Sequence, residues 1–141
     1  MLFLLKTRRF QSMLKGDLGD GMITVDMIRT FELSGSYKLY VCTLAILPEY
    51  RRNGMAFRTL YDKFFEKLFS FAEGGIFISE MAASAWTDDG ESLARTFGMQ
   101  YIGDHKRHGK VFHCRLVPPS VPNPNVKLRK LLEKYREIGL G

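Results

Sequence analysis

The chain has 141 residues, 45% of them hydrophobic and 13% aromatic, which is enough to bury the core of one domain and too apolar for a disordered segment. Its net charge of +6 sits near the ends: residues 1–16 carry four basic groups and no acid, 127–137 carry five basic and two acidic groups, and 17–126 balance at −1. No apolar run approaches the roughly 18 to 20 residues that span a bilayer, and Met1-Leu2-Phe3-Leu4-Leu5 is too short for a signal-peptide core, so a soluble, cytoplasmic protein is expected.

Residues 1–16 share their acid-free composition with organelle presequences, a match that is compositionally cheap and is set aside. Gly16, Asp17, Gly19, Asp20 and Gly21 then predict a flexible loop whose carboxylates would repel phosphate. Apolar residues alternate at Ile23, Val25, Met27, Phe31 and Leu33, which favours a strand over 22–33, although Ile23, Met27 and Phe31 also suit one helix face. Ser34-Gly35-Ser36 turns into an apolar strand that includes Leu39 to Leu47. Cys42 and Cys114 lie in strand-like segments without CxxC spacing, as buried thiols of an intracellular protein would.

After Pro48 comes Arg51-Arg52-Asn53-Gly54-Met55-Ala56, at the start of a long amphipathic helix. Gly54 has no Cβ and Ala56 only a methyl, so a ligand can approach the backbone where the first helical N–H groups are unpaired. The helix dipole and the two arginines favour an anion there, although an ordinary helix start has the same composition. From Met55 to Ala72 one face carries Phe57, Leu60, Tyr61, Phe64, Phe65, Leu68, Phe71 and Ala72. Gly74-Gly75 stops the helix, and Ile76 to Met81 reads as a strand, so the strand–helix–strand unit implies parallel pairing. Asp88 or Asp89 is expected to cap a short helix through Phe97, with Gly98 at its end, before a hairpin of Gln100–Ile102 and Val111–Leu116. His105, His108 and His113 fit no zinc spacing, and Lys106, Arg107 and Lys110 among them oppose a metal cation, so they read as hairpin decoration.

Four prolines within 118–125 make a stiff connector between a body of residues 1–117 and a basic amphipathic helix at 126–141. Leu128, Leu131, Leu132, Tyr135 and Ile138 give that helix an apolar stripe that would dock on the protein's own body or on a twin, so a homodimer is admitted.

The pattern Arg-x-x-Gly-x-Ala after a strand ending in Ile46-Leu47-Pro48-Glu49-Tyr50, within the order strand, helix, strand, helix, hairpin from about Lys38 to Val117, resembles the GCN5-related N-acetyltransferase (GNAT) superfamily. The resemblance implies an α/β fold with a mixed central sheet flanked by helices, a shortened N-terminal part and a C-terminal helix. It implies acetyl-CoA as co-substrate, bound by Leu44, Ile46, Arg51, Arg52, Asn53, Gly54, Met55 and Ala56, and transfer of the acetyl group directly to a primary amine of a small molecule or protein. Glu80 takes the place of a general base; sharing a face with Ile76 and Ile78 would desolvate it and raise its pKa, against the alternative of a strand-end carboxylate paired with a cation.

Two positions depart from the family pattern. Ala94 stands where many members carry a proton-donating tyrosine, leaving Tyr101, Tyr50 or water to protonate the thiolate, and Met99 replaces a phenylalanine. Few residues precede the strand that matches the family's fourth, so the acceptor side is expected to be thin. A CoA-binding interaction protein without catalysis is the alternative, and behind it a basic nucleic-acid or ribosome-associated module. Membrane partners are not expected, and nucleic acid is disfavoured because the basic tails lack interleaved aromatic residues.

Overall fold

The computed structural model describes residues 2–30, 34–41, 54–116 and 126–137. The chain opens with strand β1 (Leu2–Leu5) and helix α1 (Thr7–Leu14), followed by β2 (Gly35–Val41), α2 (Gly54–Glu73), β3 (Ile76–Ala85), α3 (Asp88–Thr96), β4 (Gln100–Asp104), β5 (Lys110–Arg115) and α4 (Val126–Glu137). The five strands form one mixed sheet in the order β1-β2-β3-β5-β4, with β2 and β3 parallel and every other neighbouring pair antiparallel. The architecture is α/β, with four helices among the described residues, none of them long and apolar enough to cross a membrane.

Helices α2, α3 and α4 cover one face of the sheet. The apolar stripe of α2 buries Phe64, Phe65, Leu68 and Ala72 against Tyr37, Leu39, Ile78 and Met81, each large side chain contributing about 1.5–3 kcal/mol. Phe97, just past α3, stacks on Phe64 with ring centroids 4.5 Å apart, so α3 locks onto α2. Helix α4 docks on the protein's own body: Leu128, Leu131, Leu132 and Tyr135 are all buried in this core.

The opposite face is covered by α1. Its Phe10 and Met13 are one turn apart and fully buried, packed with Leu5, Leu18, Tyr40, Ala82 and Val111. Sequence composition suggested neither β1 nor α1. An eight-residue helix is marginal alone, and this one exists because the sheet buries its apolar side.

Residues 22–30 do not form the expected strand. Val25–Met27 is a 3-10 turn closed by Met27 N–H to Thr24 C=O and Ile28 N–H to Val25 C=O, and among the described residues its strand pairing with β1 is limited to a single bridge, Leu5 to Ile28. Val25 is 86% exposed, so no partner sheet rewards the alternation. Phe31 and Leu33 lie outside the described residues, as do Cys42, the 118–125 connector and Ile138.

The pairing of β2 with β3 shifts by one residue: Tyr37 faces Ile78, but Lys38 faces Glu80. Ser79 is therefore the extra residue of a β-bulge. Its hydroxyl donates to the Tyr37 carbonyl at 3.2 Å, and its carbonyl accepts from Leu116 N–H at 2.8 Å. Because side chains alternate along a strand, one inserted residue reverses the phase. Ile78 and Met81 both enter the helix-covered core, and Glu80 emerges on the α1 side.

Candidate functional site

Two places carry the residues singled out by sequence. The first is the junction between β2 and α2. Leu44, Ile46, Arg51, Arg52 and Asn53 lie outside the described residues. Gly54 is the first residue of α2, and Met55 beside it is 72% exposed. The helix spans 20 residues, about 30 Å at 1.5 Å per residue. Two residues connect it to β3, which runs parallel to β2, so the amino end of α2 lies at the carboxyl ends of both strands.

At that end β3 runs as Ala82-Ala83-Ser84-Ala85 and then Trp86. Ser84 Oγ is buried and has no hydrogen-bond partner among the described residues. Thr87, rather than Asp88 or Asp89, caps α3: its Oγ1 accepts from Gly90 N–H at 3.1 Å. The acids instead fill the first helical turn, where they complement the dipole.

The second place is the Glu80 cluster beneath α1. Glu80 is only 8% exposed and sits in mid-strand, five residues before the end of β3, or roughly 16 Å at 3.3 Å per residue. The cross-strand register places Lys38 on one side of it and Arg115 on the other. Lys38 Nζ donates to Glu80 Oε2, and His113 Nε2 reaches Oε1 at 3.2 Å. Arg115 Nε approaches the same oxygen at 3.5 Å from a largely exposed side chain. Phe10 roofs the cluster, with the Lys38 ammonium 5.4 Å and the His113 ring 6.2 Å from its ring centroid.

This arrangement corrects the environment expected for Glu80. The carboxylate does not share a face with Ile76 and Ile78, because the Ser79 bulge turns it to the other side. Burial pushes its pKa up, but hydrogen bonds and charge from Lys38 and His113 outweigh burial and hold it below the ordinary carboxylate value. Glu80 is thus an ionised, fully engaged carboxylate at neutral pH. Sequence reasoning missed Lys38, His113 and Arg115 as its partners, since only strand register brings them together.

Ala94 is buried in the main core. The Tyr101 hydroxyl donates to Asp104 Oδ1 at 3.0 Å, a bond that raises its pKa and weakens it as a proton donor. Tyr50 lies outside the described residues. His105 is not surface decoration: it is buried, its Nε2 bonds the Leu18 carbonyl at 3.2 Å and its Nδ1 accepts from Arg107 N–H at 3.2 Å. Cys114 is buried, and desolvation pushes its thiol up to about 11.

Comparison of the chain with protein-family models, with curated proteins and with solved structures gave no match.

Proposed function

We propose that the chain is an acetyl-CoA-dependent N-acyltransferase of GNAT type, moving an acetyl group directly to a primary amine of a small molecule or peptide. The observation that carries this reading is the β2–α2–β3 unit: parallel strands joined by a helix whose first residue is Gly54, within Arg51-Arg52-Asn53-Gly54-Met55-Ala56. The helix dipole and the two arginines of that segment suit a diphosphate. The unpartnered Ser84 hydroxyl at the same end of the sheet suits an amide-bearing arm. The sheet order is compatible with a GNAT-like core.

When bound, the thioester would supply the activated acetyl group. The chain's own part is to position it and to keep the amine neutral. Glu80 is the residue proposed to accept the amine proton, for which Lys38 or His113 must yield a carboxylate oxygen. Calorimetric titration with CoA tests the reading. Micromolar binding is expected, with loss on Gly54→Val while the circular dichroism spectrum is unchanged. Binding retained by Gly54→Val would place the ligand elsewhere.

A CoA-binding protein without transferase chemistry is the second reading. It is favoured by Glu80 being engaged by three basic side chains and by Ala94 lying in the core. It predicts that CoA raises the melting temperature while no CoA thiol is released from acetyl-CoA with any amine or peptide in a library.

A further inference from the structure

The loop between β4 and β5 joins three segments that are far apart in sequence. On one side, Lys106 N–H donates to the Gly16 carbonyl at 3.2 Å, and the Lys106 ammonium pairs with Asp17, so the carboxyl end of α1 is held against the loop. On the other side, the His108 ring meets Trp86 edge-on at 6.1 Å. Gly109 lets the loop pass tightly there: a Cβ at this positive-φ position would stand 2.6 Å from Trp86 Cδ1. The result is a continuous strip from α1 across Lys106, Arg107 and His108 to the indole.

Arg8 and Lys15 are seven residues apart on one side of α1. Together with Arg107 they are exposed and make no ion pair among the described residues. Lys106 and Lys110 are already neutralised by Asp17 and Glu91. Trp86 is 57% exposed. Asp88 and Asp89 follow it in the first turn of α3, so a polyanion is repelled from the α3 side of the indole. Basic groups interleaved with an exposed aromatic ring are what the tails lack in sequence, and tertiary structure supplies them here.

We propose that this strip binds single-stranded nucleic acid, with phosphates on Arg8, Lys15 and Arg107 and an unpaired base stacked on Trp86. A base inside a duplex has no free face to offer the indole, which selects a single strand. One exposed indole gives too little apolar area to insert into a lipid surface. The inference stands independently of the acyltransferase reading.

Trp86 is the only tryptophan in the chain, so its emission reports this surface directly. The full chain is titrated with a labelled single-stranded oligonucleotide of about 12 nucleotides. Binding should quench Trp86 emission in step with the rise in oligonucleotide anisotropy. Three phosphate contacts at about 0.7 each give a log–log salt slope near −2, an affinity loss of about twentyfold between about 50 and 200 mM salt. Arg8→Ala and Arg107→Ala alter exposed side chains; each should weaken binding several-fold and flatten the slope by about 0.7. The proposal is overturned by absent binding, by binding that leaves Trp86 emission unchanged, by variants with wild-type affinity, or by a duplex or anionic vesicles binding as tightly as the single strand.

Discussion

Tyr135 in α4 accepts a hydrogen bond at its hydroxyl from the backbone N–H of Ile78, at 3.0 Å, with the phenol fully buried. Ile78 lies beyond the last β3–β5 pair, Glu80 with Arg115, beside the Ser79 bulge of the β2–β3 pairing. The terminal helix thus supplies the partner that the sheet does not. Burial pushes the Tyr135 phenol well above its ordinary range, which keeps it neutral at this position.

Tyr135→Phe removes only that hydroxyl and leaves a buried N–H unpaired. The cost should be about 1–3 kcal/mol, smaller than the roughly 2–5 kcal/mol expected for the cavity left by Leu131→Ala. Urea denaturation with unchanged m-values measures both. An unaltered midpoint for Tyr135→Phe would mean that the N–H finds another partner.

The Ser79 bulge also explains what the sequence could and could not reveal. Helix α2 was legible because Phe64, Phe65, Leu68 and Ala72 keep helical spacing and Gly74-Gly75 ends it. The hairpin was legible from alternation around a polar loop. A bulge has no comparable signature: one serine in Ile76-Phe77-Ile78-Ser79-Glu80-Met81 reads as an ordinary outward position, and strict alternation placed Glu80 on the wrong face. Glu80 itself was identifiable as a carboxylate in an apolar strand. Lys38, His113 and Arg115 were not, because they meet it only through register. Helix α1 escaped notice for a related reason: Phe10 and Met13 provide a stripe of only one turn, and the surface that completes it is tertiary.

Glu80 should make folding stability depend on acid in a defined direction. Its folded pKa is below the ordinary glutamate value of 4.5, so its contribution is present above that value and is lost as pH falls through the folded one. Glu80→Gln removes the charge and leaves Lys38 without its counter-ion, at a cost of about 3 kcal/mol near neutral pH. The gap between wild type and variant should narrow below pH 4.5. Guanidinium melts across that range measure it, and a constant gap would remove Glu80 from the acid linkage.

Two glycines near the start of the chain separate backbone strain from mere flexibility. Gly16 has φ of +74°, and a Cβ there would stand 2.9 Å from the Asp104 carbonyl oxygen. Gly21 has no atom of the described residues within 4 Å of the corresponding position. Gly16→Ala should therefore destabilise by about 1–3 kcal/mol, whereas Gly21→Ala should be neutral within about 0.5 kcal/mol or slightly stabilising. Equal effects in thermal melts would contradict the close packing of this turn on the β4–β5 loop.

Cys114 offers a chemical readout of the sheet's closure. Its side chain faces the helix-covered core, and desolvation pushes its thiol up to about 11. At pH 8 the thiolate fraction is then about one in a thousand, against roughly one in four for a free thiol near 8.5. Burial of the sulfur further restricts access. Alkylation at Cys114, followed by peptide mass mapping, should be slowed by at least about 200-fold in the native chain and restored in denaturant. If native alkylation proceeds near the rate of a free thiol, β5 opens from β3 far more often than its hydrogen-bonded register allows.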